Sequence, residues 1–487
     1  MAAALVRPSC TVTNDSSKFI TPPIRRDGIQ YNQIYYTRLH EMKDVSMKSA
    51  QRKWGSDTVF RNLKDLEPGL ACVVIGTLFK EMSLRPSTIK QISDNQRLLP
   101  YPPKGKLSSS TDKIFLEDYS QRVILSNLSD NTALTTGMIV AVKGVQNADG
   151  NFEVSDYCLP GMPLKNDPLP SLNNDRYVAI VSGLMVGSDW SDQWAIQQLV
   201  DYLTGQLGGV HDNDMLSNIV KVIIAGNSIG SVQSNKSSDK VTEQHNSRIV
   251  IIIINDIEKV KYSAKNYCAH SIQSVEELDV TLSQLSSSVP VALMPGTYDP
   301  ANKQLPQQPL HHCMFPKSAK YDNFKSVTNP YSCTIEGHKF IGTCGENIES
   351  MSCCTIGMDS LELLELTLMS SHVAPTAPDI LCCYPFSNAD PFIMDDCPHV
   401  YFAGNQPKFQ SKLVTGDDGQ KVLLICVPSF NSTHSLALIN LRTLACTPLT
   451  FATTATRLIE NKDTQNNIET ENVLMTETIS DIDDEDY

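Results

Sequence analysis

From Tyr177 onward the chain alternates short, almost wholly apolar runs with segments of helical periodicity, and this alternation restricts the fold more than any other feature. A strand buried on both faces reads as a continuous apolar run. Such strands separated by helices build a layered α/β domain. The runs Tyr177–Gly183 (YVAIVSG), Val220–Ala225 (VKVIIA), Ile249–Ile254 and Val289–Met294 fit this pattern. Later strands are expected at Lys339–Gly342, Ile380–Tyr384, Val400–Ala403, Val422–Val427 and Leu436–Leu441. Helices are expected at Ser191–Leu207, with Trp194, Leu199 and Leu203 on its apolar face, at Val275–Leu285 and at Ser360–Met369.

The first third of the chain follows a different rule. Leu70–Met82 reads as a β-branched strand, Ile114–Ser126 as two strands turning near Tyr119-Ser120, and Gly137–Cys158 as a hairpin turning at Asp149-Gly150. Several short strands with no long helix between them suggest a small barrel, with an OB-fold as the leading candidate. Its aromatics (Phe79, Phe115, Tyr119, Phe152, Tyr157) sit among Glu117, Asp118, Glu153 and Asp156, which favours a structural or protein-binding barrel over a single-strand binder. Ahead of it, Tyr31, Ile34, Tyr35, Leu39 and Met42 form one stripe of a helix. Arg38, Lys43, Lys48, Arg52 and Lys53 are expected on its solvated side. The expected division is a flexible arm over 1–29, a helix over 30–55, the OB-fold over 56–165, the α/β domain over 166–452 and an acidic disordered tail over 453–487. In that tail Ser480, followed by acidic residues, fits a site for an acid-directed kinase.

A formal net charge of −14 opposes direct wrapping of a phosphate backbone, which needs clustered Lys and Arg. The 14 cysteines form no CxxC and lie mainly in apolar runs, so they read as buried reduced thiols. The longest apolar run, six residues, is too short to span a bilayer, and no membrane association is expected.

Chemistry in α/β proteins collects at strand ends. Five ends matter here: Ser182-Gly183-Leu184, Gly226-Asn227, Gly296-Thr297-Tyr298-Asp299, Cys383-Tyr384, and Gly404-Asn405-Gln406-Pro407. Their layout resembles that of calcineurin-like metallophosphoesterases, where the corresponding motifs read D-x-H, G-D, G-N-H-D/E, an isolated His and G-H-x-H. In that family the motifs build a two-metal site that activates water. This resemblance implies that Ser182, Leu184, Asn227, Thr297, Tyr298, Asp299, Asn405 and Pro407 stand at degenerate former metal-site positions, with Cys383 or Tyr384 in place of the isolated His. Neutral amides, Tyr and Pro are poor substitutes for bridging carboxylates and imidazoles. No catalytic residue, metal or cofactor is therefore expected. His311-His312, on the Pro-rich loop that ends at Pro316, and His399 read as surface or packing histidines.

More specific segments point further. VSGL (181–184), LTGQLG (203–208), LPQQPLHHCMFP (305–316), PTAPD (375–379), DPFI (390–393) and CPHVYFAGN (397–405), with LFKEM (78–82), LEDYSQR (116–122) and DYCLP (156–160), are similar to the second, regulatory subunits of DNA polymerase delta. The similarity runs from about Tyr31 to Phe451. It implies an OB-fold barrel joined to a calcineurin-like phosphodiesterase α/β sandwich domain lacking its metal ligands. It also implies a nuclear, non-catalytic role. In that role the subunit docks on the C-terminal metal-binding module of the polymerase catalytic subunit, carries the third and, where one exists, the fourth subunit, and meets DNA mainly through the complex. Two other readings stay open: a metal-dependent phosphoesterase or nuclease with an atypical site near Asn227, Asp299 and Asn405, and a single-strand nucleic-acid-binding OB module.

Overall fold

From Tyr177 onward seven strands and three helices lie where apolar periodicity puts them, and the computed structural model shows how they are layered. It describes residues 7–22, 30–85, 105–128, 132–165, 167–188, 191–209, 213–230 and 272–451. The Ile249–Ile254 run, most of the polar loops between 85 and 112 and between 228 and 246, and the tail with Ser480 lie outside the described residues.

The chain begins with β1 (Val12–Asn14) and α1 (Asn32–Trp54). Then come β2 (Ala71–Glu81), β3 (Lys113–Glu117), β4 (Arg122–Ser126), β5 (Ile139–Gln146) and β6 (Phe152–Cys158). These five close a barrel in the order β2-β3-β4-β6-β5, with β4 and β6 joined in parallel. Alternate residues point inward. Val74, Leu78, Leu116, Val123, Val140, Val142, Phe152 and Val154 fill its interior.

The remainder is a two-sheet sandwich. Its elements in order are β7 (Tyr177–Val181), α2 (Gln193–Thr204), β8 (Ile219–Ala225), α3 (272–286), β9 (Val291–Met294), β10 (Phe324–Ser326), β11 (Tyr331–Ile335) and β12 (His338–Thr343). They continue with α4 (Glu346–Cys354), α5 (Ser360–Met369), β13 (Val400–Gln406), β14 (Gln410–Thr415), β15 (Lys421–Pro428), β16 (Ser435–Asn440) and β17 (Cys446–Thr450). One sheet runs β10-β9-β8-β7-β16-β17 and the other β1-β11-β12-β13-β15-β14. Val178, Ile180, Ile223 and Met294 of the first sheet meet Phe340, Phe402, Leu423 and Ile425 of the second in the central core. The alternate residues Ala179, Val181, Val222 and Ile224 turn to α2 and α3. Tyr401, Ala403, Leu424 and Cys426 turn to α4 and α5 on the opposite outer face. Continuous apolar strands are explained by this arrangement, because both faces are covered.

Several expectations are corrected. The described part of the supposed flexible arm, residues 7–22, is pinned: β1 extends the second sheet by antiparallel pairing with β11, and Phe19 is buried. Trp194 is 80% exposed, while Ala195, Ile196, Leu199, Val200 and Leu203 form the buried face of α2. At about 100° per residue, Trp194 and Leu199 cannot share a narrow face. Ile380–Tyr384 is not a strand, since its ladder contact is the single bridge Cys383↔Leu305.

The largest correction concerns Arg38. Helical periodicity assigns it to solvent, and it is fully buried. Leu39, Met42 and Ala50 lay α1 on the barrel against Val73, Ile75, Ile139 and Ala141, while Ile34 enters the core beneath α4 and α5. Arg38 lies where barrel, helix and sandwich meet. Its Nε donates to Asp390 Oδ2 at 2.6 Å, Nη1 donates to the carbonyls of Gly137 and Pro375, and Nη2 donates to Ala377 O. His372 Nε2 lies 3.0 Å from the same Asp390 oxygen, and Asp390 Oδ1 accepts the Phe392 N–H. Gly137 is required there, because a Cβ at its φ of +87° would lie 2.0 Å from Pro375 O.

Candidate functional site

Four of the five proposed strand ends come together, and a different fourth member completes the set. The ends of β7, β8 and β9 on one sheet face those of β12 and β13 on the other. Gly183 N–H donates to Gly226 O at 2.9 Å, and Asn405 N–H donates to Ser182 Oγ at 2.8 Å. The end of β12 supplies Cys344: a Cβ on Gly226 would lie 2.6 Å from the Cys344 Cβ. Cys383 and Tyr384 are elsewhere. Cys383 packs with Leu305 and Phe392 in the core under α4 and α5, and the Tyr384 ring meets Phe386.

Most polar side chains in this cluster are tied to backbone. Asp299 is 1% exposed, with Oδ1 accepting Ile229 N–H and Oδ2 accepting Gly296 N–H, both at 2.8 Å. Burial pushes its carboxyl up to about 6, against the opposing pull of these N–H groups. Asn227 Oδ1 accepts the Tyr298 N–H. Asn405 Nδ2 donates to Ala225 O at 3.1 Å and to Cys344 O at 2.8 Å. Ser182 Oγ donates to the carbonyls of Val427 and Pro428. Thr297 Oγ1 donates to Glu346 Oε1 at 2.7 Å, and burial raises the Glu346 carboxyl above its ordinary value. Burial likewise holds the Cys344 thiol well above the ordinary thiol range, and Asn329 Nδ2 donates to its Sγ. Leu184 is core, Tyr298 is half-exposed and Pro407 is at the surface.

The backbone explains the residue types. Asn227 and Asn405 have φ of +53° and +55°. Asn tolerates this left-handed region better than most side chains, so both positions suit a tight turn. Their amides then satisfy carbonyls and N–H groups that the turns would otherwise leave buried and unpaired. A two-metal hydrolytic site needs carboxylates and imidazoles with lone pairs directed at a shared ion. Here Asp299, at the cluster's centre, holds a backbone N–H on each oxygen, and Glu346 accepts the Thr297 hydroxyl. The arrangement braces five turns.

Sequence reasoning missed Cys344, although β12 followed by Cys-Gly obeys the same strand-then-turn pattern as the other ends. It also missed a second feature. Among the described residues, one group of three His, Cys or acidic side chains converges at metal-binding distance: His311, His312 and Cys313, all exposed on the Pro-rich loop.

Residues 178–411 match the family of B subunits of DNA polymerases alpha and epsilon, and residues 30–157 match the OB-fold domain of the DNA polymerase delta subunit. The chain is 37% identical over 447 residues to the DNA polymerase delta small subunit of Oryza sativa subsp. japonica, covering 92% of this chain and 99% of that one. It is 37% identical over 436 residues to DNA polymerase delta subunit 2 of Drosophila melanogaster, covering 88% and 94%. Against the small subunit of Saccharomyces cerevisiae the identity is 28% over 478 residues, covering 88% and 91%.

Proposed function

The chain belongs to the DNA polymerase delta small-subunit family, and from that premise we propose that it is a non-catalytic scaffold. It is an accessory subunit of polymerase delta. In this reading it docks on the C-terminal metal-binding module of the catalytic subunit and carries the third and, where present, fourth subunits during nuclear replication and repair synthesis. DNA is met mainly through the complex.

The observation that carries the reading is the state of Asp299. A buried carboxylate that accepts one backbone N–H from its own turn and one from the neighbouring turn is a brace. The sandwich is thus a calcineurin-like phosphodiesterase fold whose strand ends have been converted from ligands to turn supports. A fold that keeps its architecture without such a site is used through its surface. The net charge of −14 fits a protein-facing role.

Co-expression with the catalytic subunit, followed by gel filtration, tests the scaffold. A stoichiometric complex is expected, lost when the catalytic subunit's C-terminal module is deleted. Failure to co-elute would remove the scaffold reading. The purified chain is expected to hydrolyse no phosphodiester with Mn²⁺; turnover abolished by Asp299→Ala would restore the enzymatic one.

A further inference from the structure

We propose that His311, His312 and Cys313 form a surface site for one borderline-soft divalent cation, with Zn²⁺ the best fit. The three ligand atoms lie within 4.8 Å of one another. His312 Nε2 and Cys313 Sγ are 3.7 Å apart. Tetrahedral zinc with Zn–N near 2.05 Å and Zn–S near 2.3 Å separates its N and S ligands by about 3.6 Å. Two side chains are therefore already at coordination spacing. The His311 and His312 rings are close, with centroids 4.3 Å apart.

The loop is held so that this triplet faces outward. Leu310 and Phe315 on either side are buried in the core beneath α2 and α3, at 3% and 0% exposure. The turn His312–Met314 is a short 3-10 helix between these anchors. Fixed flanks reduce the ordering cost of bringing three ligands together. The Cys313 N–H contact to His311 Nδ1 is long, at 3.3 Å, and coordination by His311 gives it up. Imidazole and thiolate together select zinc over the hard cations magnesium and calcium. Binding replaces the Cys313 S–H bond with an S–metal bond and releases one proton to solvent, so affinity rises with pH. Water completes the fourth position.

Co²⁺ titration of the tag-free, fully reduced, full-length chain tests the site. One Co²⁺ per chain is expected, with a thiolate-to-cobalt charge-transfer band that equimolar Zn²⁺ removes. Cys313→Ser should abolish the band, and His312→Ala should weaken binding on the order of tenfold or more. Cys382 is the control, being the other exposed cysteine among the described residues, and Cys382→Ser should leave the band unchanged. All three positions are exposed, so unchanged thermal unfolding should accompany each variant. Absence of the band from the parent chain, its survival in Cys313→Ser, or its loss in Cys382→Ser would each overturn the assignment.

Discussion

Two buried polar clusters can be compared directly. The strand-end cluster around Asn227, Asp299 and Asn405 lies where enzymes of this architecture place their chemistry. The Arg38–Asp390–His372 cluster lies where α1, the barrel and the sandwich meet. The first is centred on one carboxylate, Asp299, satisfied by backbone N–H groups of two neighbouring turns. The second contains a full ion pair with both side chains at 0% exposure. Position in the fold would suggest that the first is functional and the second incidental. Their bonding suggests that both are structural, at different ranges. Asp299 ties two neighbouring strand-end turns of one sheet together, whereas Arg38 joins α1, the barrel and the sandwich across 352 residues.

The sharpest way to break this comparison is Arg38→Ala. It leaves the Asp390 carboxylate buried without its cation, which costs about 3–5 kcal/mol. Urea unfolding should show that loss, together with earlier proteolysis of α1. A change under about 1 kcal/mol would mean that water reaches Asp390 and that the three-way junction does not anchor α1. The Arg38→Met, Asp390→Leu double variant should recover much of the loss, because well-packed apolar replacements of buried ion pairs are often tolerated.

A second test uses pH, because the two clusters respond with opposite sign. His372 is lowered from 6.5 to about 4, first by burial and then by the Arg38 charge. The fold refuses a proton that the unfolded chain accepts, so stability falls as pH drops from about 6.5 to 4. The full effect is on the order of 3 kcal/mol. Burial alone would raise the Asp390 carboxyl, but Arg38 and His372 hold it far below the usual range, so its contribution persists to still lower pH. Asp299 is raised from 3.8 to about 6, so the fold retains a proton that the unfolded chain loses, and stability falls as pH rises through that window. Between pH 4 and 6 the two trends oppose each other. His372→Gln should flatten or reverse the dependence of stability on pH, and Asp299→Asn should steepen it. Parallel curves for both variants would show that neither group titrates as its surroundings require.

At pH 7, Asp299→Asn should cost about 1–3 kcal/mol, since one carboxylate oxygen becomes an NH₂ facing a backbone donor. The effect is smaller than that of Arg38→Ala because no charge is left unpaired. Assembly with the catalytic subunit should survive at temperatures where the variant is folded.

These two clusters also mark how far the sequence could be read. The barrel strands and seven of the sandwich strands were legible because alternation and continuous apolarity are local signals, whereas the edge strands β1, β10, β14 and β17, and β11, carry too few apolar residues to stand out. Asp299, Asn227 and Asn405 were legible as a set because each follows an apolar run. Arg38 was not, since its partner Asp390 is 352 residues away and helical periodicity assigns a charged side chain to solvent by default. Ile380–Tyr384 misled because a short apolar run imitates a strand, whereas here only Cys383 is buried, in the core under α4 and α5 and with a single bridge to Leu305. The real neighbour of Gly226 is Cys344, the residue that follows β12. The closeness of His312 and Cys313 side chains depends on a 3-10 turn, which adjacency in sequence alone does not specify.

The smallest expected effect is the most direct probe of the strand ends. Tyr298→His places an imidazole where the proposed likeness to metallophosphoesterases would put a metal ligand, at a side chain that is already 48% exposed. Stability should change by less than about 0.5 kcal/mol, as for most surface substitutions. No phosphodiester hydrolysis above the blank should appear with Mn²⁺. The reason lies in the neighbours. Asp299 would have to release Ile229 and Gly296 N–H to bridge an ion, leaving two buried donors unpaired. Asn405 would have to turn its amide away from Ala225 O and Cys344 O, and Asn227 would have to give up the Tyr298 N–H. One added imidazole cannot offset the loss of these turn contacts. Hydrolysis in Tyr298→His, lost again on Asp299→Ala, would show instead that the cluster is one substitution from chemistry and that its hydrogen bonds yield to a metal.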